Sequence, residues 1–225
     1  MRNYLGIMAY KAIIAGASGL IGSSLLTILL NEPAYTEITA LVRKKTGLVH
    51  TKLTEILVDF DNLDDFAGEI NGHVLFCCIG TTKKKTPDLT DYYKIEHDYP
   101  VKLGQLAAKN GVNQYHYVSS IGADKNSAAY YTKYKGQTEY DLQQLNLLSL
   151  HIYRPSILSG ERKDHRPLEK FVNGLMYIIN PLLFGSLKKY RSIPAKTVAM
   201  AMYKQSINND EGVFVHPSDQ IKQIA

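Results

Sequence analysis

Tyr131 and Lys135, one helical turn apart, are the two side chains in this sequence best suited to moving a proton. A tyrosine hydroxyl with an ordinary pKa of about 10 is a poor proton carrier at neutral pH. A lysine cation four residues on faces the same way and stabilises the phenolate, lowering that pKa. Upstream, Ser119-Ser120 ends an apolar run and supplies hydroxyls able to polarise a carbonyl oxygen. Such a set suits proton exchange between a tyrosine and a carbonyl/alcohol pair. The spacing is common in a chain of 16 tyrosines, and Tyr130, Tyr134 and Tyr140 crowd the same region. Tyr131 is preferred because it alone pairs at i, i+4 with the lysine preceding Gly136. The bland alternative is a tyrosine-rich helix packed on a sheet.

A second constellation lies near the start of the chain. The stretch Lys11-Ala-Ile-Ile-Ala-Gly16-Ala17-Ser18-Gly19-Leu20-Ile21-Gly22 runs from an apolar strand through three glycines into an apolar helix. The first glycine allows a tight turn, the second lets backbone approach a pyrophosphate, and the third permits close packing of helix and sheet. The helix then aims its N-terminal amides and positive dipole end at the phosphates. Strand before and helix after make this a dinucleotide-binding loop. Lys135 is then placed to bond a nicotinamide ribose as well.

The exits of the following strands specify the cofactor. The second strand ends Val42-Arg43-Lys44-Lys45, without the carboxylate that would bond an adenosine ribose 2′-OH. Arg43 can grip a 2′-phosphate through two N–H bonds, with Lys44 adding charge, so NADP(H) is the expected cofactor. At the third exit, Asp59 can hydrogen-bond the adenine and Phe60 pack on it. At the fourth, Cys78-Ile79-Gly80-Thr81-Thr82 brings backbone against the cofactor ribose, with hydroxyls to bond it. At the sixth, Tyr153-Arg154-Pro155-Ser156-Ile157 offers a stiffened turn where backbone meets the nicotinamide carboxamide.

These residues need a parallel scaffold. Strands are predicted at Lys11–Ala15, Ile38–Val42, Thr54–Val58, Val74–Ile79, Gln114–Ser119 and Leu148–Tyr153. Helical patterns cover Leu20–Leu30, Asp91–Asn110 and Ala128–Leu145, with Asn110-Gly111 as a stop. The alternation gives an α/β fold: a Rossmann-type, doubly wound parallel sheet with helices on both faces. Residues 1–225 read as a single NAD(P)-binding domain, with about 1–8 as an N-terminal extension or an over-called start before Met8. About 155–225 form a small substrate-side region. There, Glu161–Pro167 is charged, Phe171–Phe184 is apolar, Ala195–Ser206 is helical and Gly212–Val215 is a last strand. The apolar segment suits a substrate wall, the face of a homodimer or ordinary core.

Bulk properties exclude other classes. The chain is 45% hydrophobic and 21% charged, as in a soluble globular protein, and its net charge is +5. The basic residues are scattered, and the one short run, Lys83-Lys84-Lys85, reads as a solvated loop first and as a phosphate-steering patch second, so nucleic acid is not an expected partner. Adjacent Cys77-Cys78 have neither metal-ligand nor redox spacing; reduced, buried, structural thiols and no metal are expected. No run approaches the roughly 20 apolar residues of a membrane span, and a cytoplasmic location is the expectation.

The glycine motif, Ser119-Ser120, Tyr131-x-x-x-Lys135 and Arg154-Pro155, in this order, resemble the short-chain dehydrogenase/reductase superfamily, of its atypical, extended-like kind. The segments Cys77–Lys83, Ser119–Asp124, Lys135–Glu139, Arg154–Ser156 and Gly160–Arg162 are similar to the subfamily of the human Tat-interacting oxidoreductase homologues. The resemblance implies NADP(H) and a Ser-Tyr-Lys site in which Tyr131 exchanges the proton and Lys135 activates it. Ser120 is the preferred carbonyl-polarising serine, with Ser119 the alternative because the spacing to Tyr131 is short. A fourth superfamily position, often Asn, is not evident; Glu96 or His97 falls near it. The first functional reading is an NADP(H)-dependent oxidoreductase acting on a small carbonyl or alcohol. The second is a non-catalytic cofactor-binding regulator of a protein partner. A sugar-nucleotide epimerase or dehydratase shares the fold, but the short C-terminal third disfavours it.

Overall fold

Short runs of Val, Ile and Leu, apolar on both sides of the pleat, can be satisfied only inside a sheet covered on both faces. A computed structural model describes residues 9–159 and 191–225 and has that architecture. Its strands are β1 (Tyr10–Ala15), β2 (Tyr35–Val42), β3 (Leu53–Leu57), β4 (Val74–Cys77), β5 (Gln114–Val118), β6 (Ser149–Arg154) and β9 (Gly212–Pro217). They form one sheet in the order β3-β2-β1-β4-β5-β6-β9, every neighbouring pair parallel. The order reverses beside β1, so the crevice outside the carboxyl ends of β1 and β4 is the ligand position of this topology.

One face is covered by α1 (Leu20–Asn31), α5 (Ala195–Ser206) and α6 (Ser218–Ile224), through Leu25, Leu29, Val198, Met202 and Ile221. The other carries a 3-10 helix (Phe60–Glu69), α3 (Tyr99–Lys109) and α4 (Tyr130–Gln143), through Leu63, Leu103, Leu106 and Leu142. Ile13 and Ile14, adjacent on β1, therefore point into different cores, and both are fully buried.

The expected strands and the helix Ala195–Ser206 are present, with ends moved by one to three residues. β4 stops at Cys77 because only Cys78 N still reaches the ladder, bonding Ala15 O at 2.8 Å. The helix expected over Asp91–Asn110 is three pieces: α2 (Leu89–Tyr93), a π turn (Lys94–Asp98) and α3. Asp88 caps α2 through the amides of Thr90 and Asp91. Pro100 explains the π turn. It has no N–H to close onto the Glu96 carbonyl, which accepts instead from Thr138 Oγ1 at 2.9 Å, while Tyr99 N bonds Lys94 O five residues back. Unforeseen elements are the 3-10 helix, α6 and a two-stranded parallel pair of β7 (Leu158–Ser159) and β8 (Ile193–Pro194). The N-terminal extension, Glu161–Pro167, Phe171–Phe184 and Gly160–Arg162 lie outside the described residues.

Candidate active site

The glycine loop is shaped by backbone meeting backbone. Gly16 has φ +88°, and a Cβ there would lie 2.6 Å from the Cys78 carbonyl carbon. A Cβ on Gly22 would lie 2.1 Å from Gly16 O, so the third glycine packs α1 against the loop itself rather than against the sheet. Gly19 N donates to Gly16 O at 3.0 Å and closes the turn. Ala17 and Ile21 are buried, Leu20 is half-buried and Ser18 is exposed. Gly19 caps α1 without a side-chain hydrogen bond, and the first turn holds no acidic residue. The amides at this helix start are thus free of competing acceptors and fit an anion.

Arg43 and Lys44 follow β2 directly and are exposed. Beyond β3, the Asp59 carboxylate caps the 3-10 helix, accepting from Asp61 N (3.0 Å) and Asn62 Nδ2 (2.7 Å). The half-buried Phe60 lies against the Tyr99 ring, centroids 5.6 Å apart. Past β4, Cys78 and Ile79 are half-buried and Gly80 is exposed. Thr81 N donates to Glu96 Oε1 at 2.6 Å, and Thr81 Oγ1 meets Thr86 Oγ1 at 2.8 Å. Thr82 Oγ1 is buried without a protein partner. Both cysteines are free thiols, and Lys83, Lys84 and Lys85 sit on an exposed turn.

The two serines after β5 are not equivalent. Ser119 Oγ donates to Glu139 Oε1 at 2.5 Å, and Glu139 also takes Arg154 Nε at 2.9 Å and Arg154 Nη2. Ser119 is thereby part of a tie between β5, α4 and β6. Ser120 Oγ is buried with no protein partner. A buried hydroxyl without a partner costs stability unless a ligand or water completes it.

α4 is held against the loop following these serines. Gly136 makes the contact possible, since a Cβ would meet the Asp124 backbone at 2.3 Å, and Asp124 N bonds Thr132 O at 3.0 Å. Tyr131 projects from this helix 44% exposed. Lys135, one turn on, is 3% exposed; its Nζ donates to Val118 O at 3.0 Å and lies 3.0 Å from Glu96 Oε2. Burial works against the Lys135 charge, but Glu96, then Tyr117 and Tyr131, outweigh it and hold the ammonium well above its ordinary range. Glu96 is fully buried, and stranding either partner of such a pair costs on the order of 3–5 kcal/mol. Of the two residues near the fourth superfamily position, Glu96 faces Lys135. His97 turns away to bond Asp98 and Asp141, each at 2.8 Å. The other tyrosines pack: Tyr134 edge-on to Tyr93 at 4.8 Å, Tyr130 against Tyr134, and Tyr140 beneath the Lys125 ammonium.

At the exit of β6, Pro155 O accepts from Ile121 N at 2.9 Å. Ser156 Oγ donates to Arg191 O and lies 3.0 Å from Ser218 Oγ, so this hydroxyl joins β6 to the C-terminal segments. Ile157 exposes its side chain, and its carbonyl pairs with Ile193 N at 3.0 Å. Among the described residues no cluster of His, Cys, Asp and Glu has the grouping of a metal site.

An NAD(P)H-binding family model matches residues 16–173. The chain belongs to that family. It is 31% identical over 210 residues to the rat protein HTATIP2, covering 90% of this chain and 83% of the relative. To the mitochondrial protein FMP52 of Saccharomyces cerevisiae it is 32% identical over 159 residues, 69% of each chain. Within the NAD(P)H-binding family it is thus an atypical short-chain dehydrogenase/reductase of the group that contains these two proteins. Its fold is that of the Bordetella bronchiseptica enzyme WbmH in complex with NAD+ (TM-score 0.71, 17% identity, 93% of this chain and 76% of that one). The oxidoreductase ylbE from Lactococcus lactis shares it too (TM-score 0.66, 18% identity, 95% of both chains). Among the described residues no helix is long and apolar enough to cross a membrane.

Proposed function

We propose that the protein is an NADP(H)-dependent oxidoreductase that interconverts a small carbonyl compound and its alcohol. The observation carrying this reading is the division of labour after β5: Ser119 is consumed by Glu139, while Ser120 Oγ is buried and unpartnered near the helix that bears Tyr131 and Lys135. A nicotinamide cofactor's pyrophosphate fits the uncapped amides at the start of α1, and the unpartnered Thr82 hydroxyl suits its ribose. Arg43 and Lys44 would hold the 2′-phosphate, Asp59 and Phe60 the adenine side, and the 155–157 turn the carboxamide end.

When bound, the cofactor supplies or receives the hydride. Ser120 Oγ donates a hydrogen bond to the substrate carbonyl oxygen and draws charge onto it. Tyr131 Oη passes its proton to that oxygen during reduction, or takes one from the alcohol during oxidation. Lys135 has three N–H donors; one goes to Val118 O and another faces Glu96, leaving one for the phenol or a ribose hydroxyl.

Single-turnover NADPH oxidation against a panel of aldehydes and ketones tests this reading. Tyr131→Phe should lower the rate by about 10²–10⁴ and Ser120→Ala by about 10²–10³, whereas Ser119→Ala retains turnover. A rate indifferent to Tyr131 overturns it. NADPH binding with no turnover across the panel would favour a cofactor-gated regulator.

A further inference from the structure

The Tyr131–Lys135 spacing by itself sets a phenol beside a bare cation. The folded chain adds a countercharge. Glu96 Oε2 lies 3.0 Å from Lys135 Nζ, and both side chains are removed from water, at 0% and 3% exposure. The other oxygen, Oε1, accepts the Thr81 amide at 2.6 Å, and a Cβ on Gly80 would sit 3.5 Å from it. One carboxylate therefore lies under the loop that leaves β4 and against the ammonium on α4. Its place is fixed from behind as well, because the π turn hands the Glu96 carbonyl to Thr138 Oγ1 of α4.

Burial favours the neutral form of four groups around the pair. Tyr92 of α2 and Tyr117 of β5 are pushed up by burial, as are the thiols of Cys77 and Cys78 after β4. Tyr134 of α4 completes the ring of neighbours. Among these described groups, the Glu96 carboxylate is the countercharge that faces the Lys135 ammonium.

We propose that Glu96 is a positioning residue that neutralises Lys135 and ties it to the β4 exit loop, so that Tyr131 works beside a neutral ion pair rather than an isolated cation. The consequence for the chemistry is a phenol kept in its proton-donating form over a wider pH range. In reduction, with a bound cofactor supplying the hydride, Tyr131 would give its proton to the carbonyl oxygen and be left as a phenolate. A neutral neighbouring pair favours the protonated starting state and gives that phenolate less support. The proposal rests on Tyr131 being the proton donor.

The test follows Tyr131 directly, by NMR titration of the full chain labelled with [13Cζ]tyrosine, the Tyr131 signal being assigned by its loss in Tyr131→Phe. Glu96→Gln removes the countercharge with little change in shape and should move the Tyr131 midpoint to lower pH by about 1 unit. Glu96→Asp keeps the charge but shortens its reach; its midpoint should stay at the wild-type value while turnover falls. A midpoint unmoved in Glu96→Gln, or moved to lower pH in Glu96→Asp, overturns the proposal. Should Glu96→Gln fail to fold, Glu96→Ala removes the same countercharge and is read in the same way. The titration needs no turnover, so failure of the oxidoreductase reading shows separately, as absent Tyr131-dependent NADPH oxidation in the wild-type protein.

Discussion

Arg43 is a cation with an exposed side chain at the exit of β2, immediately after buried Val42. Nothing in the packing of the sheet requires a guanidinium there, whereas a 2′-phosphate would take two of its N–H groups at once. A charge-assisted pair of this kind is worth about 1.5–3 kcal/mol. Replacing Arg43 by Ala should therefore weaken NADPH binding by roughly 10–100-fold and leave NADH within a few-fold, with a smaller difference at high salt. Parallel fluorescence titrations check this, and unchanged NADPH affinity removes the basis for an NADP(H) preference. Other residue-level features are of a different kind. The ties of Ser119 to Glu139 and of Glu96 to Lys135 join positions 20 and 39 residues apart, and only the closed fold brings them together. Glu96 did leave one trace in the sequence. At helical spacing from Tyr92, Pro100 and Leu103 it falls on an otherwise buried stripe, where a carboxylate must have a partner.

At the scale of elements, α1 can point its free amides at a ligand only because it starts in contact with the loop from β1. That contact is the Gly22–Gly16 approach, too close for any Cβ. Both neighbours are backbone, so Gly22→Ala cannot be absorbed by a rotamer change; α1 must shift outward. The expected cost is about 1–3 kcal/mol in thermal unfolding, with NADPH binding weakened at least about 10-fold. Gly68→Ala, at a position with open space, is the control and should change neither. Full stability and affinity in Gly22→Ala would refute this account of the loop. The same elements show what a sequence reveals. The strand–glycine–helix unit and the buried strands announce themselves through long apolar runs and punctuation. The 3-10 helix has only short-range hydrogen bonds and a non-helical residue, Asn62, inside it, and α6 and the β7–β8 pair are too short to display a period. The π turn is encoded by Pro100, whose missing N–H breaks the ladder inside an apparently continuous helix.

Across the whole molecule, β5, β6 and β9 are joined on one face by a ladder of rings instead of aliphatic side chains. His116 stacks on His151 at 4.5 Å and His151 on Phe214 at 4.8 Å, while His151 Nδ1 meets His216 Nε2 at 3.0 Å. His116 Nδ1 also meets Tyr153 Oη at 3.0 Å. Burial holds His116 well below its ordinary value, brings His151 to about 4 and lowers His216, the neighbouring imidazoles adding to the effect for the first two. Burial thus favours the neutral form of all three in the folded protein, whereas the unfolded chain takes up their protons from about pH 6.5 downward. Because the unfolded state binds more protons there, stability is full above that pH and falls as the solution is acidified towards the folded-state values. Asp61 and Asp88, held low by their hydrogen bonds, act only below about pH 4, so the two windows separate. The melting temperature should accordingly fall between pH 7 and pH 5. In His151→Phe, which keeps a ring in the stack but cannot titrate, the fall over that interval should be smaller than in the wild-type protein, even if the lost bond to His216 costs about 1 kcal/mol at neutral pH. An equally steep fall in both proteins would mean that the acid sensitivity of the sheet lies outside this ladder.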